Sequence, residues 1–184
     1  MRYSADGVPV LLHDTPWLRR GLPVPVGQTP ASWLRRLGAV TVADLFAELG
    51  SDFELSLDLK DTSVIAPLLR VLATVDRSRV WLVHRDVDLL RRIRAEDGVV
   101  RLVHEAPASS VGPDHAALLA AAGVDAQNTG WRHWTPEGLD RAHAVGVRAF
   151  GSLAQSAVDL EAARHLDGIY SDHVQLMVDT LRPP

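Results

Sequence analysis

The chain has 184 residues, 47% hydrophobic and 23% charged, with a formal net charge of −4; this is the balance of a globular chain long enough to bury one real core. It contains no cysteine, which excludes disulfides, thiolate metal ligands and cysteine nucleophiles and fits a cytoplasmic location. Its basic and acidic residues are interspersed, so no nucleic-acid partner is expected. No apolar stretch approaches the ~18 residues of a bilayer span, so no transmembrane segment is expected either.

Residues 1–7 hold no apolar run of signal-peptide length. Asp6-Gly7 is a turn signal, and residues 8–12 then read as a short buried strand. Further apolar runs at 55–59, 80–83, 99–103, 147–150 and 168–170 predict strands. Helical periodicity follows most of them. Val64, Ile65, Leu68, Leu69 and Leu72 come after Lys60, and Val87, Leu89, Leu90 and Ile93 come after His84. Asp114 opens an Ala- and Leu-rich run that ends at Gly123. Thr135-Pro136-Glu137 predicts a helix with Thr as N-cap and Pro at its first position, ending near Gly146; another helix is expected at about 157–165.

Strand and helix alternating every ~20–25 residues imply parallel strands joined by right-handed crossovers, in an open doubly wound sheet or a closed barrel. No G-x-G-x-x-G or Walker-type loop follows any strand, which favours the barrel. Within residues 54–60, Leu55, Leu57 and Leu59 alternate with Ser56, Asp58 and Lys60. A strand buried in an ordinary parallel sheet is apolar on both faces. In a barrel the leucines face the outer helices, and Asp58 and Lys60 point inward near the strand's C-terminal end, where such barrels place their chemistry. An edge strand with a solvated polar face gives the same pattern.

The stretch from Ser4 to Asp14, a turn and a short apolar strand closed by His13-Asp14, suits general acid–base work, since histidine titrates near neutral pH. It resembles the glycerophosphodiester phosphodiesterase motif. Leu57-Asp58-Leu59-Lys60 is similar to that family's acid-x-Lys strand, with Asp where Glu is usual. Residues 40–45, 86–92, 142–148 and 166–172 are similar to later helix and strand segments in the same order. The resemblance implies a single domain over 1–184: an α/β chain with the (β/α)8 TIM-barrel fold, incomplete, with about six βα units and part of the second strand. It also implies a phosphoric diester hydrolase of lipid metabolism that converts a glycerophosphodiester small molecule to glycerol 3-phosphate and an alcohol. In that reading His13 is the acid–base residue, Asp58 a ligand of a divalent cation (Mg or Ca), and Lys60 the substrate-binding cation that faces phosphate. The family's His-Arg-Gly strand, its Glu-Asn-Thr helix start and its Glu-x-Asp strand have no counterpart here. The expectation is therefore an N-terminally truncated chain of weak or no activity, with a true start upstream or a partner chain completing the barrel. Alternatives are a non-catalytic, phosphate-binding remnant and a phospholipase of the sphingomyelinase D type.

Other features have ordinary readings. His84 and His104 follow apolar runs and read as loop or helix-start residues. Gly130-Trp131-Arg132-His133-Trp134 could stack on a cationic head group such as choline or simply pack. His143 and His165 fall in predicted helices, and Asp172-His173 fits a helix N-cap. Arginine pairs recur at Arg19-Arg20, Arg35-Arg36 and Arg91-Arg92; solvated helix faces account best for the last two.

Overall fold

The computed structural model describes every residue except 15, 20, 63, 64, 108, 109, 183 and 184. Asp6-Gly7 forms the expected turn: Gly7 takes φ +73°, and its N–H donates to Ser4 O at 3.0 Å. The turn joins β1 (Arg2–Tyr3) to β2 (Pro9–Val10) as an antiparallel pair. The strand expected through 8–12 is thus cut to two residues. Pro9 has no N–H for a ladder, and Leu11 N–H is drawn away to Val40 O at 2.8 Å. A second hairpin pairs β3 (Trp17–Arg19) with β4 (Leu22–Val24). Trp17 and Val24 pack against Val10, Val26, Leu34 and Ala39.

α1 (Ala31–Arg36) begins after Pro30, and the Asp6 carboxylate accepts its first N–H, that of Ala31, at 2.8 Å. α2 (Val42–Leu49) starts on a reciprocal capping box between Thr41 and Asp44, so Thr41 caps as its sequence context predicts. Arg35 grips Asp44 with two hydrogen bonds of 2.8 and 2.9 Å. That grip holds the Asp44 carboxyl down to about 2.

The chain divides into two compact units, Met1–Val83 with Glu96–Arg101, and His84–Ala95 with Leu102–Pro184. In the first, β5 (Leu55–Asp58) runs parallel to β6 (Val80–His84), with Leu55 opposite Val80 and Asp58 opposite Val83. Leu57 and Leu59 are buried, as the alternation requires. α3 (Ile65–Leu72) buries Leu68 and Leu72; Val64, expected in this helix, lies outside the described residues. Met1 lies alongside β5, its carbonyl accepting Lys60 N–H at 3.1 Å and its amino nitrogen donating to Asp58 O.

The second unit repeats one theme. α4 (Val87–Glu96), β7 (Arg101–Glu105), α5 (Pro113–Ala121), β8 (Ala126–Gly130), α6 (Pro136–Ala144), β9 (Arg148–Ser152), α7 (Ala157–Ala163), β10 (Gly168–Ile169) and α8 (Val174–Leu181) follow in order. β7 pairs with β8, β8 with β9 and β9 with β10, all parallel. Leu90, Leu102, Leu119 and Leu160 are fully buried in it. α6 has the predicted Thr135 cap, whose hydroxyl accepts Gly138 N–H at 3.1 Å. His173 occupies the N-cap of α8 without a side-chain bond, contrary to the capping role expected of Asp172-His173; Asp172 instead accepts from Gln155 Nε2 at 2.8 Å.

Two aspartates use the same device at the strand starts. Asp125, just before β8, accepts Leu102 N–H of β7 at 2.7 Å and pairs with Arg94 of α4. Asp167, just before β10, accepts Ala149 N–H of β9 at 2.7 Å and pairs with His143 of α6 at 2.7 Å. Each carboxylate ties a helix to its following strand. Among the described residues no helix is long and apolar enough to cross a membrane.

Candidate active site

Strand alternation fixes the first two side chains. With Leu57 and Leu59 turned into the core, Asp58 at the end of β5 and Lys60 just beyond it emerge on the opposite face. Lys60 Nζ lies 2.5 Å from Asp58 Oδ2, and the two side chains are 28% and 37% exposed. The loop after β2 brings in the third. Leu11 is held by Val40, and Arg2 Nε donates to His13 O at 3.1 Å. His13 Nε2 then sits 4.0 Å from Asp58 Oδ2, while its Nδ1 is 2.7 Å from Asp14 Oδ1.

The structure therefore brings His13, Asp58 and Lys60 together, with Asp14 beside the histidine. Donation of Nδ1–H to Asp14 orients the imidazole and leaves Nε2 as the nitrogen open to proton exchange. His13 is 71% exposed, so a solute can reach it. Nearby, burial and then the charge of Asp61 push the Tyr3 phenol up, so Tyr3 stays neutral.

A hard divalent cation takes about six or more oxygen ligands. Among the described residues no group of three or more His, Cys, Asp or Glu is placed to hold a metal ion, and Asp58, the expected ligand, is engaged by Lys60. This donor set does not fit Mg or Ca.

In the second unit the histidines that follow apolar runs have structural partners. His84 Nδ1 accepts Asp86 N–H at 2.9 Å. His104 is buried in β7, with Nε2 2.8 Å from Arg85 O and Nδ1 3.2 Å from His115 Nε2. Burial lowers the pKa of both His104 and His115, which keeps the pair neutral. Arg85 spans to Glu105 at 2.9 and 3.2 Å. The Trp131 ring carries the Arg132 guanidinium at 4.4 Å from its centroid. Trp134 is buried and donates to Phe150 O at 2.8 Å. Trp134 thus packs. His165 Nδ1 lies 2.8 Å from Ala162 O within its own helix end. Sequence reasoning missed the His104–His115 and Arg85–Glu105 pairs, and spacings of 11 and 20 residues carry no periodic signal for them.

No family model and no curated protein matches the sequence, but solved structures do. A protein from Galdieria sulphuraria assigned as a glycerophosphodiester phosphodiesterase superimposes with a TM-score of 0.82 at 19% identity, over 99% of this chain and 83% of its own. A phosphodiesterase from Oleispira antarctica, solved with the product sn-glycerol-3-phosphate, gives 0.78 at 16% identity over 98% of this chain and 82% of its own. The glycerophosphodiester phosphodiesterase of Agrobacterium tumefaciens C58 gives 0.72 at 16% identity over 97% and 84%. The chain has the glycerophosphodiester phosphodiesterase fold. At these identities the fold is what is shared, and it agrees with the α/β class expected from the strand and helix spacing. Asp58 lies at the C-terminal end of a parallel strand, β5.

Proposed function

We propose that this chain is a phosphoric diester hydrolase of the glycerophosphodiester phosphodiesterase lineage, acting on glycerophosphodiesters to release glycerol 3-phosphate and an alcohol. The observation that carries the reading is the meeting of His13 and Lys60 with Asp58 at the end of β5 in a chain of this fold. The Oleispira antarctica protein's complex with sn-glycerol-3-phosphate supports a small phosphate ester as the ligand.

Lys60 is the group suited to the phosphate: its ammonium offers three donors, and a phosphate oxygen can take the place that Asp58 now holds. Attack by water forms a new P–O bond as the bond from phosphorus to the alcohol oxygen breaks. His13 delivers the Nε2 proton to the departing alcohol oxygen, and the proton lost by the attacking water restores the imidazolium. Asp14 holds the ring through Nδ1 during both transfers. With Asp14 turned to His13 Nδ1, Asp58 to Lys60 and no fitted cation, turnover is expected to be weak.

A second reading is a phosphate-binding module without turnover. The Asp58–Lys60 pair and the lack of a metal-holding group among the described residues favour it. Glycerol 3-phosphate release from glycerophosphocholine, measured beside calorimetric binding of glycerol 3-phosphate, separates the two. Slow release abolished in His13→Ala supports the hydrolase, whereas release unchanged in that variant sinks the assignment of His13. Binding that is weakened in Lys60→Ala without any release moves the chain to the second reading.

A further inference from the structure

We propose that the β3–β4 hairpin and α1 form a docking surface for an anionic phospholipid bilayer. This inference is independent of the hydrolytic reading. Between Thr15 and Ala43 the sequence holds four arginines and no Asp, Glu, Lys or His, although the whole chain carries −4. The segment is therefore a cationic island in an acidic protein.

Its apolar side chains face outward. Leu18 is 63% exposed, Leu22 70% and Trp33 55%. One exposed leucine is ordinary on a protein surface, but these three sit on two elements that are fastened together. Arg19 Nε donates to Leu37 O beside the end of α1, and Trp17 and Val24 at the hairpin's base pack against a cluster that includes Leu34 of α1. Leu18 stands opposite Pro23 and Leu22 opposite Arg19, so the two leucines leave the end of the hairpin on opposite faces, and both are exposed. Arg35 is neutralised by Asp44 at 2.8 Å. Arg19 and Arg36, both exposed, have no carboxylate partner among the described residues.

Charge and shape select the occupant. Leucines on an exposed hairpin can enter the acyl boundary while tryptophan takes the headgroup level and arginines meet lipid phosphates. No acidic side chain in this segment opposes a negative surface. A nucleic acid would use the arginines and gain little from Leu18 and Leu22. A second copy of the chain that met it with the same face would bring the same positive charge to the contact and be repelled.

Flotation of the purified chain with phosphatidylcholine vesicles, with or without phosphatidylglycerol, is the test. The chain should float with the mixed vesicles and stay behind with phosphatidylcholine alone. Binding should weaken with added salt. It should fall about tenfold in the Leu18→Ser/Leu22→Ser double variant, which removes buried apolar area, and fall again in Trp33→Ser. These positions are exposed, so circular dichroism and the melting midpoint should not change; Arg36→Gln, which leaves the Arg19 tie to Leu37 in place, reads the charge separately. Failure to float with mixed vesicles, or undiminished binding of the leucine variant, overturns the proposal. So does binding to heparin that ignores the leucines when no vesicles are bound, which marks a polyanion site. Self-association lost in the leucine variant, again without vesicle binding, marks a contact between copies and overturns it equally.

Discussion

The two units use the same residue types for different ends. In the second unit, Asp125 and Asp167 each accept a backbone N–H and a helix-borne donor, so their oxygens are committed to holding strands in place. In the first, Asp58 faces Lys60 and His13 on side chains alone, and the histidine it faces is 71% exposed. A carboxylate bound to main-chain donors belongs to the scaffold, whereas one that faces only charged side chains at a strand end is available to a ligand. Partners, more than burial, tell the two apart.

Substitutions can break that contrast. The largest effect is expected from His13→Ala, which should cut glycerol 3-phosphate release by about 10²–10⁴-fold with the melting midpoint unchanged; a parallel loss of stability would place His13 in the scaffold instead. Leu119→Ala should do the reverse, lowering unfolding free energy by about 2–5 kcal/mol in denaturant titrations while sparing activity in the cold. Asp125→Ala strands Leu102 N–H and should cost about 1–3 kcal/mol. Asp14→Ala, whose side chain is 83% exposed, should leave stability alone. Thr41→Ala removes one half of a capping box and should cost about 1 kcal/mol.

The smallest effect should come with acid. Burial lowers the His104 and His115 pKa values in the folded chain, while an unfolded histidine takes its proton near pH 6.5. Their contribution to stability is therefore complete above about pH 6.5 and is lost as pH falls from there toward the depressed folded values. Melting midpoints recorded from about pH 7.5 to about pH 5 should decline, and His115→Ala should flatten the decline.

Much of the second unit is legible in the sequence, because its strands and helices alternate with clean periods and stops such as Gly146. β8 is the exception. Gln127, Asn128 and Thr129 form no apolar run to mark a strand, yet all three are buried, and Gln127 Nε2 donates to Ser110 O at 3.3 Å, a partner 17 residues away that no local pattern reveals. In the first unit the Leu55–Lys60 alternation announces which side chains meet at the strand end, and the Asp6-Gly7 turn forms as read. The β3–β4 hairpin is hidden by Pro23, since proline argues against a strand except at an edge. The hold on His13 is equally hidden, because it depends on Arg2 and Val40, neither of which resembles a site residue.

The Asp125 and Asp167 ties lie at the starts of the strands, whereas Glu105 and Ser152 stand at their ends. Because alignment is decided at one end, the other is released from it, and a substitution there changes what the sheet presents without moving the sheet. Such an arrangement tolerates drift: form can persist while surface chemistry is rewritten, and chains at 16–19% identity can still superimpose with TM-scores of 0.72–0.82.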